Sequence, residues 1–211
     1  FGQQPLVNFP QDDAAWTVEV SYPGISTSNQ PRIPRIQKVE IVRKNNIRRN
    51  RITWSNGLTT ETWQLDSLGV QVFEDPNNHG VYVISKNDAI TTFLISVNFD
   101  ASSFAWINES AFKGFTTYSG KKCRQYLAFV PRRQFPGTSA PPPTPLAPVE
   151  NKALIDETTL LPVTLDDTLT FCRFTFLPPP SEPIVMPEKL LQQLKQYQEA
   201  TTPLRRLKNG R

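Results

Sequence analysis

The sequence predicts a mainly β fold of the α+β type, built on one strongly curved antiparallel sheet with a single amphipathic helix at the C-terminus. Three observations predict it. Six short runs alternate polar and apolar residues between Trp16 and Ser85. The separators are Pro-Gly, Asn-Asn, Asn-Gly, Leu-Gly and Asn-Asn-His-Gly, which either fix φ or tolerate positive φ. A helical period is clear only after Pro187.

Residues 1–15 are polar and broken by Pro5 and Pro10, and read as an irregular lead-in. "WTVEVSY" opens the strand series, with Trp16, Val18 and Val20 in phase. "IQKVEIVRK", "IRRNRITW", "TTETWQL", "VQVFED" and "GVYVIS" follow as a meander. "DAITTFLISVNF" reads as a strand or a short helix, and "SFAWI" as a compact apolar unit. "KGFTTYSGKKCRQYLAFVP" returns to a hairpin turning at Ser119-Gly120. Residues 136–148 are rich in proline and read as an exposed, polyproline-like loop. "KALID", "PVTLD" and "LTFCRFTFL" complete the sheet, for nine to eleven strands in a single domain over 16–177. The helix is expected over 187–199, with Leu190, Leu191, Leu194 and Tyr197 on one face, and a basic tail over 200–211. A twisted sheet of this size curls. Its concave face then needs a cover of chain or of bound apolar ligand.

The stretch "RITWSNGLTTETWQL" allows a sharper expectation. A two-residue Asn-Gly loop would oppose Ile52 to Glu61, mixing apolar and charged groups on one face. A longer loop pairing Trp54 with Thr60 puts Ile52, Trp54, Thr60 and Thr62 on one face and Trp63 on the other.

Charge and composition restrict the chemistry. The net charge is +4, and the basic residues concentrate at Arg32, Arg35, Lys38, Arg43, Lys44, Arg48, Arg49 and Arg51 against a lone Glu40. This segment reads as a solvated basic hairpin, with an anionic lipid or phosphate surface as the alternative and no nucleic acid expected. Two cysteines and one histidine cannot build the usual Cys/His metal site, and neither a metal nor any other cofactor is expected. The acidic pairs Asp12-Asp13, Glu74-Asp75 and Asp166-Asp167 sit beside proline or in expected turns, where carboxylates stay solvated and general acid–base work is disfavoured. No nucleophile elbow or phosphate-binding glycine motif occurs, so an enzyme is not expected. Cys123 and Cys172 have two strands between them in a meander. At ~4.8 Å per strand their separation is about 14 Å, beyond the ~7 Å reach of a disulfide, so two buried thiols are expected.

The order of "RITWSNGLTTETWQL" and "GVQVFEDPNNHGVYVIS", then "FTTYSGKKCRQYLAF", then "KALIDETTLLPVTLDDTLTFCRFTF", resembles the LolA/LolB-like superfamily of periplasmic lipoprotein carriers and outer-membrane lipoprotein-sorting proteins over about residues 35–177. The resemblance implies an incomplete, half-barrel sheet that holds an acyl chain in an apolar cavity. On this basis a non-enzymatic exported binding protein is expected, holding a lipid or other apolar ligand against Trp54, Phe73, Trp106, Phe115 and Tyr118. The alternative is a cell-envelope interaction or structural module with a protein partner. The chain starts at Phe1 without a methionine, which fits a removed signal peptide and a periplasmic or otherwise exported location. No run approaches the ~20 apolar residues of a membrane span, so membrane association is expected to be peripheral at most.

Overall fold

A computed structural model describes residues 5–23, 34–75, 78–85, 99–130, 148–167 and 170–208. Among them, eleven strands form one antiparallel sheet that curves but does not close, the open half-barrel-like form expected. The first six are β1 (Ala14–Ser21), β2 (Ile36–Lys44), β3 (Ile47–Trp54), β4 (Thr59–Leu65), β5 (Val70–Glu74) and β6 (Val81–Ser85). The remaining five are β7 (Phe112–Tyr118), β8 (Lys121–Val130), β9 (Val149–Asp156), β10 (Pro162–Asp166) and β11 (Phe171–Leu177). Their spatial order is β6-β5-β4-β3-β2-β1-β11-β10-β9-β8-β7. Two meanders therefore meet where β1 pairs with β11. The chain leaves one edge of the sheet at Ser85 and re-enters at the other edge at Phe112. That single crossover decides what lies on the sheet.

Turn chemistry sets the hairpins. Asn45 and Asn46 have φ of 54° and 62°, and Ser119 and Gly120 have 48° and 77°. These left-handed pairs make the two-residue turns whose twist matches the flanking strands. The β3–β4 hairpin instead uses three loop residues. Gly57 sits at φ 81°, its N–H donating to Trp54 O at 2.9 Å, while Trp54 N donates to Leu58 O at 2.9 Å. Thr60 thus opposes Ile52, not Trp54 as the sequence suggested. The offset between the two pairings is an even number of residues, so the side chains keep their faces. The indole Nε1 of Trp54 still reaches Thr60 Oγ1 diagonally, at 2.8 Å.

Each face of the sheet carries its own core. The face bearing Trp16, here the inner face, gathers Val18, Val39, Ile41, Ile52, Tyr126, Ala153, Ile155, Leu165 and Phe174. It is covered by two irregular segments. Phe9 of the lead-in, anchored by Asn8 N donating to Leu160 O, packs edge-on to Trp16 at 5.2 Å. Residues 99–111, with one-turn 3-10 helices at Ala101–Phe104 and Glu109–Ala111, bring in Phe104 and Ala111. The outer face of β4 and β5 presents Trp63, Leu65, Val70 and Val72 to Met186, Leu190 and Leu194. Each of these buried leucines contributes about 2 kcal/mol of transfer free energy. The helix, α1 (Glu188–Lys208), therefore lies behind the sheet and does not roof the inner face.

Two expectations need correction, and two fall outside the description. Helix α1 continues to Lys208, through most of the segment read as a basic tail, running past Pro203 into Leu204, Arg205, Arg206, Leu207 and Lys208, which are good helix formers. The basic hairpin is not wholly solvated, since Arg48 is only 3% exposed. The proline-rich loop, apart from Pro148, and all of "DAITTFLISVNF" except Phe99 lie outside the described residues.

Candidate functional site

The inner face changes character along the sheet. Between β8 and β1 it is apolar. Beyond β2, the cross-strand row Arg43–Arg48–Gln64–Gln71 runs beside a second row, Ile41–Asn50–Thr62–Phe73, through direct pairings of β2 to β5. Arg48, Asn50, Thr60, Thr62 and Gln71 from these strands are all buried. Burial of so many polar side chains on one patch demands partners.

Arg48 is the centre of the patch. Its Nε donates to Asn50 Oδ1 at 2.9 Å and its Nη1 to Asp100 Oδ2 at 2.7 Å. Its guanidinium lies 5.6 Å from the Trp16 ring centroid, in cation–π range. Its Nη2 and the Gln71 Nε2 have no hydrogen-bond partner among the described residues. Asp100 also caps the first 3-10 turn of the covering segment, its Oδ1 accepting from Ser102 N at 2.9 Å and Ser102 Oγ at 2.7 Å. The Trp16 Nε1 donates to Phe99 O at 3.0 Å. The 99–111 segment is thus fastened to β1 and β3 by polar bonds at one end and by Phe104 beyond it.

The electrostatics follow from burial. Desolvation works against ionisation of Asp100, but the Ser102 hydroxyl, the Arg48 charge and the Ser102 N–H outweigh it and hold the carboxyl below its ordinary value. Burial also pulls the Arg48 guanidinium down, opposed by the charge and hydrogen bond of Asp100. A guanidinium still keeps its proton. The pair is a fixed charge-to-charge contact inside the fold.

The five side chains expected to form one pocket do not come together. Trp54 and Phe73 lie on the inner face of β3 and β5, with Phe73 stacked on Tyr82 at 5.3 Å. Trp106 belongs to the covering segment, where its Nε1 donates to Ser103 O at 3.1 Å. Phe115 is on β7, the far edge in strand order from β5 and β6, and is 53% exposed. Tyr118 points to the opposite face from Phe115, because the β-bulge at Lys113 precedes both and leaves them an odd three residues apart. Alternation in a strand assigns faces, but it does not report which strands lie side by side. Arg48, Asn50, Gln71 and Asp100 were not among the expected site residues. Arg48 and Asn50 did carry a signal, since both are in phase with Ile52 and Trp54.

The thiols stand as expected. Cys123 on β8 and Cys172 on β11 are both buried and free, with β9 and β10 between them. Register places Cys123 beside Thr116 and Asp156 on the outer face, and Cys172 beside Val20 and Leu165 on the inner. Burial pushes the Cys172 thiol up to about 12 and raises that of Cys123 as well. Iodoacetamide near neutral pH is expected to leave both unmodified in the folded protein. After denaturation without reductant, mass spectrometry is expected to find two carbamidomethyl groups. A protein that stays unlabelled after denaturation would instead contain a disulfide.

No family model matches the chain, and no curated protein matches it.

Proposed function

We propose that this is a non-enzymatic, exported binding protein that accepts an apolar ligand, a lipid or acyl chain, on the inner face when the 99–111 segment moves aside. A LolA/LolB-like relationship and a periplasmic setting belong to the same reading. The observation that carries it is the way the cover is fastened. Apolar packing of Phe104 and Ala111 holds the segment in part, as it would any segment that only completed a core. Here it is latched as well by an ion pair at 2.7 Å between the buried Arg48 and the half-buried Asp100. Such a pair adds little net stability, and a register or switch role is its best-attested use. Beneath the cover lie Val18, Val39, Ile41 and Phe174, a surface suited to an alkyl chain.

A second reading is favoured by a specific feature. Phe9, Trp16, Phe104, Phe174 and Phe176 form a continuous series of ring contacts between 5.2 and 6.2 Å. That interior satisfies itself, as an interaction or structural module of the envelope would require. Two measurements separate the readings. Organic extraction of the purified protein followed by mass spectrometry is expected to yield a lipid. Titration with a fluorescent fatty acid is expected to give tighter apparent binding for Asp100→Asn, because a larger open fraction lowers the apparent Kd. No extracted lipid, together with no probe binding by either protein, would eliminate the ligand reading and leave the module.

A further inference from the structure

At the β7 edge the inner face loses its cover, and what emerges there is both aromatic and basic. Phe112, Phe115 and Thr117 of β7 share this face with Lys122 and Arg124 of β8, through the pairs Phe115–Arg124 and Thr117–Lys122. Phe112 and Phe115 are 38% and 53% exposed. Residues 112–124 contain Lys113, Lys121, Lys122 and Arg124 and no acidic residue. Glu157, on the turn after β9, bonds Lys122 at 2.8 Å. Lys113, at the bulge, is exposed and forms no ion pair among the described residues, while Lys121 pairs with Tyr118 on the reverse face, where its charge acts on Asp156.

We infer that this hairpin is a docking surface for an anionic lipid bilayer, in which Phe112 and Phe115 enter the headgroup boundary while Lys122, on the same face, and Lys113, at the bulge, meet lipid phosphates. The geometry favours a membrane over nucleic acid. A base needs a free aromatic face for stacking. Here Phe115 packs edge-on with Phe112 at 5.3 Å, and the Lys122 ammonium sits 4.6 Å over its ring. The pair therefore presents a compact apolar wedge with cations around it, the combination that holds peripheral proteins at an interface. Pairing of β7 with another strand is the less suitable use of this edge. The bulge at Lys113 and Gly114, the latter at φ 118°, breaks its hydrogen-bonding row. This inference rests on the hairpin alone and is independent of any ligand on the inner face.

Co-sedimentation of the full chain with vesicles tests it. The protein is expected to pellet with phosphatidylglycerol-containing vesicles and to stay in solution with pure phosphatidylcholine. Binding should weaken steeply when salt rises from roughly 0.05 to 0.5 M, as surface charges are screened. Each cation near the surface is worth about fivefold in affinity, so Lys113→Gln with Lys122→Gln is expected to lose about twenty-five-fold. Phe115→Ser should also weaken binding while leaving far-ultraviolet circular dichroism unchanged, because the side chain is exposed. Equal behaviour with both vesicle types, full binding by the double lysine variant, or tighter binding to a single-stranded oligonucleotide than to anionic vesicles would each overturn the inference.

Discussion

Trp16→Ala is expected to lower the unfolding free energy by about 3–5 kcal/mol, among the largest losses available to a single truncation in this protein. Trp16 is one of its largest fully buried side chains. Its ring meets Phe9 edge-on at 5.2 Å and lies against Phe176 at 6.2 Å. It also forms the floor under the Arg48 guanidinium. Removing the indole leaves a cavity at the junction of the two meanders. It also strips Phe99 O of its donor in a part-buried hydrogen bond, which adds to the loss. Urea unfolding would show a lower midpoint with an unchanged slope. Trp106→Ala is the matched control, since that indole is half-buried and, among the described residues, bonds within its own turn to Ser103 O. A loss below about 1 kcal/mol for Trp16, the size of an ordinary substitution, would mean that the lead-in and the 99–111 segment do not close this face.

Local features made the strands and turns legible. The Asn45-Asn46 and Ser119-Gly120 turns are where their dipeptides place them, because left-handed φ is a property of a few residue types. Strand faces were legible for a similar reason. Pairing Trp54 with Thr60 missed the register by two residues, yet the period of two preserved every face assignment. The cysteine separation was legible because consecutive hairpins order β8 to β11 without ambiguity.

The site was not legible, and the reason is topological. Asp100 is the partner of Arg48 across fifty-two residues of chain, and nothing local to either residue announces the other. Their meeting depends on the crossover from the β6 edge to the β7 edge, which a list of strands does not determine. A cluster of arginines reads as wet because most arginines are. The phase of Arg48 with Ile52 pointed inward, but only the carboxylate waiting there makes that position tolerable for a charge. The expected pocket was drawn in the same way. It grouped aromatics by strand phase, whereas Phe73 and Phe115 belong to different meanders at opposite ends of the strand order.

Asp100→Ala should therefore have an effect out of proportion to a surface carboxylate. It leaves the buried Arg48 charge without its counter-ion, a change that costs about 3–5 kcal/mol, and it removes the cap of the first 3-10 turn. Arg48→Met should cost less, since Asp100 keeps both bonds from Ser102 and is nearer solvent. The double variant should recover part of the combined loss, giving a coupling energy of about 1–3 kcal/mol. The pH dependence has a definite sign. The folded carboxyl titrates below its unfolded counterpart, so its stabilisation is complete above the unfolded value near ~3.9. It is lost as the pH falls through the lower folded value. Denaturant unfolding of Asp100→Asn should lack that portion of the acid sensitivity, with the folded proteins compared at neutrality and at successively lower pH. Hydrogen exchange supplies the local readout. In Asp100→Asn the amides of 101–111 should exchange faster, while those of β9 to β11 keep their protection, because the latch holds the cover and not the sheet. Uniform acceleration across the whole protein would instead make the pair a part of the global core, and the cover would then have no separate opening for a ligand to use.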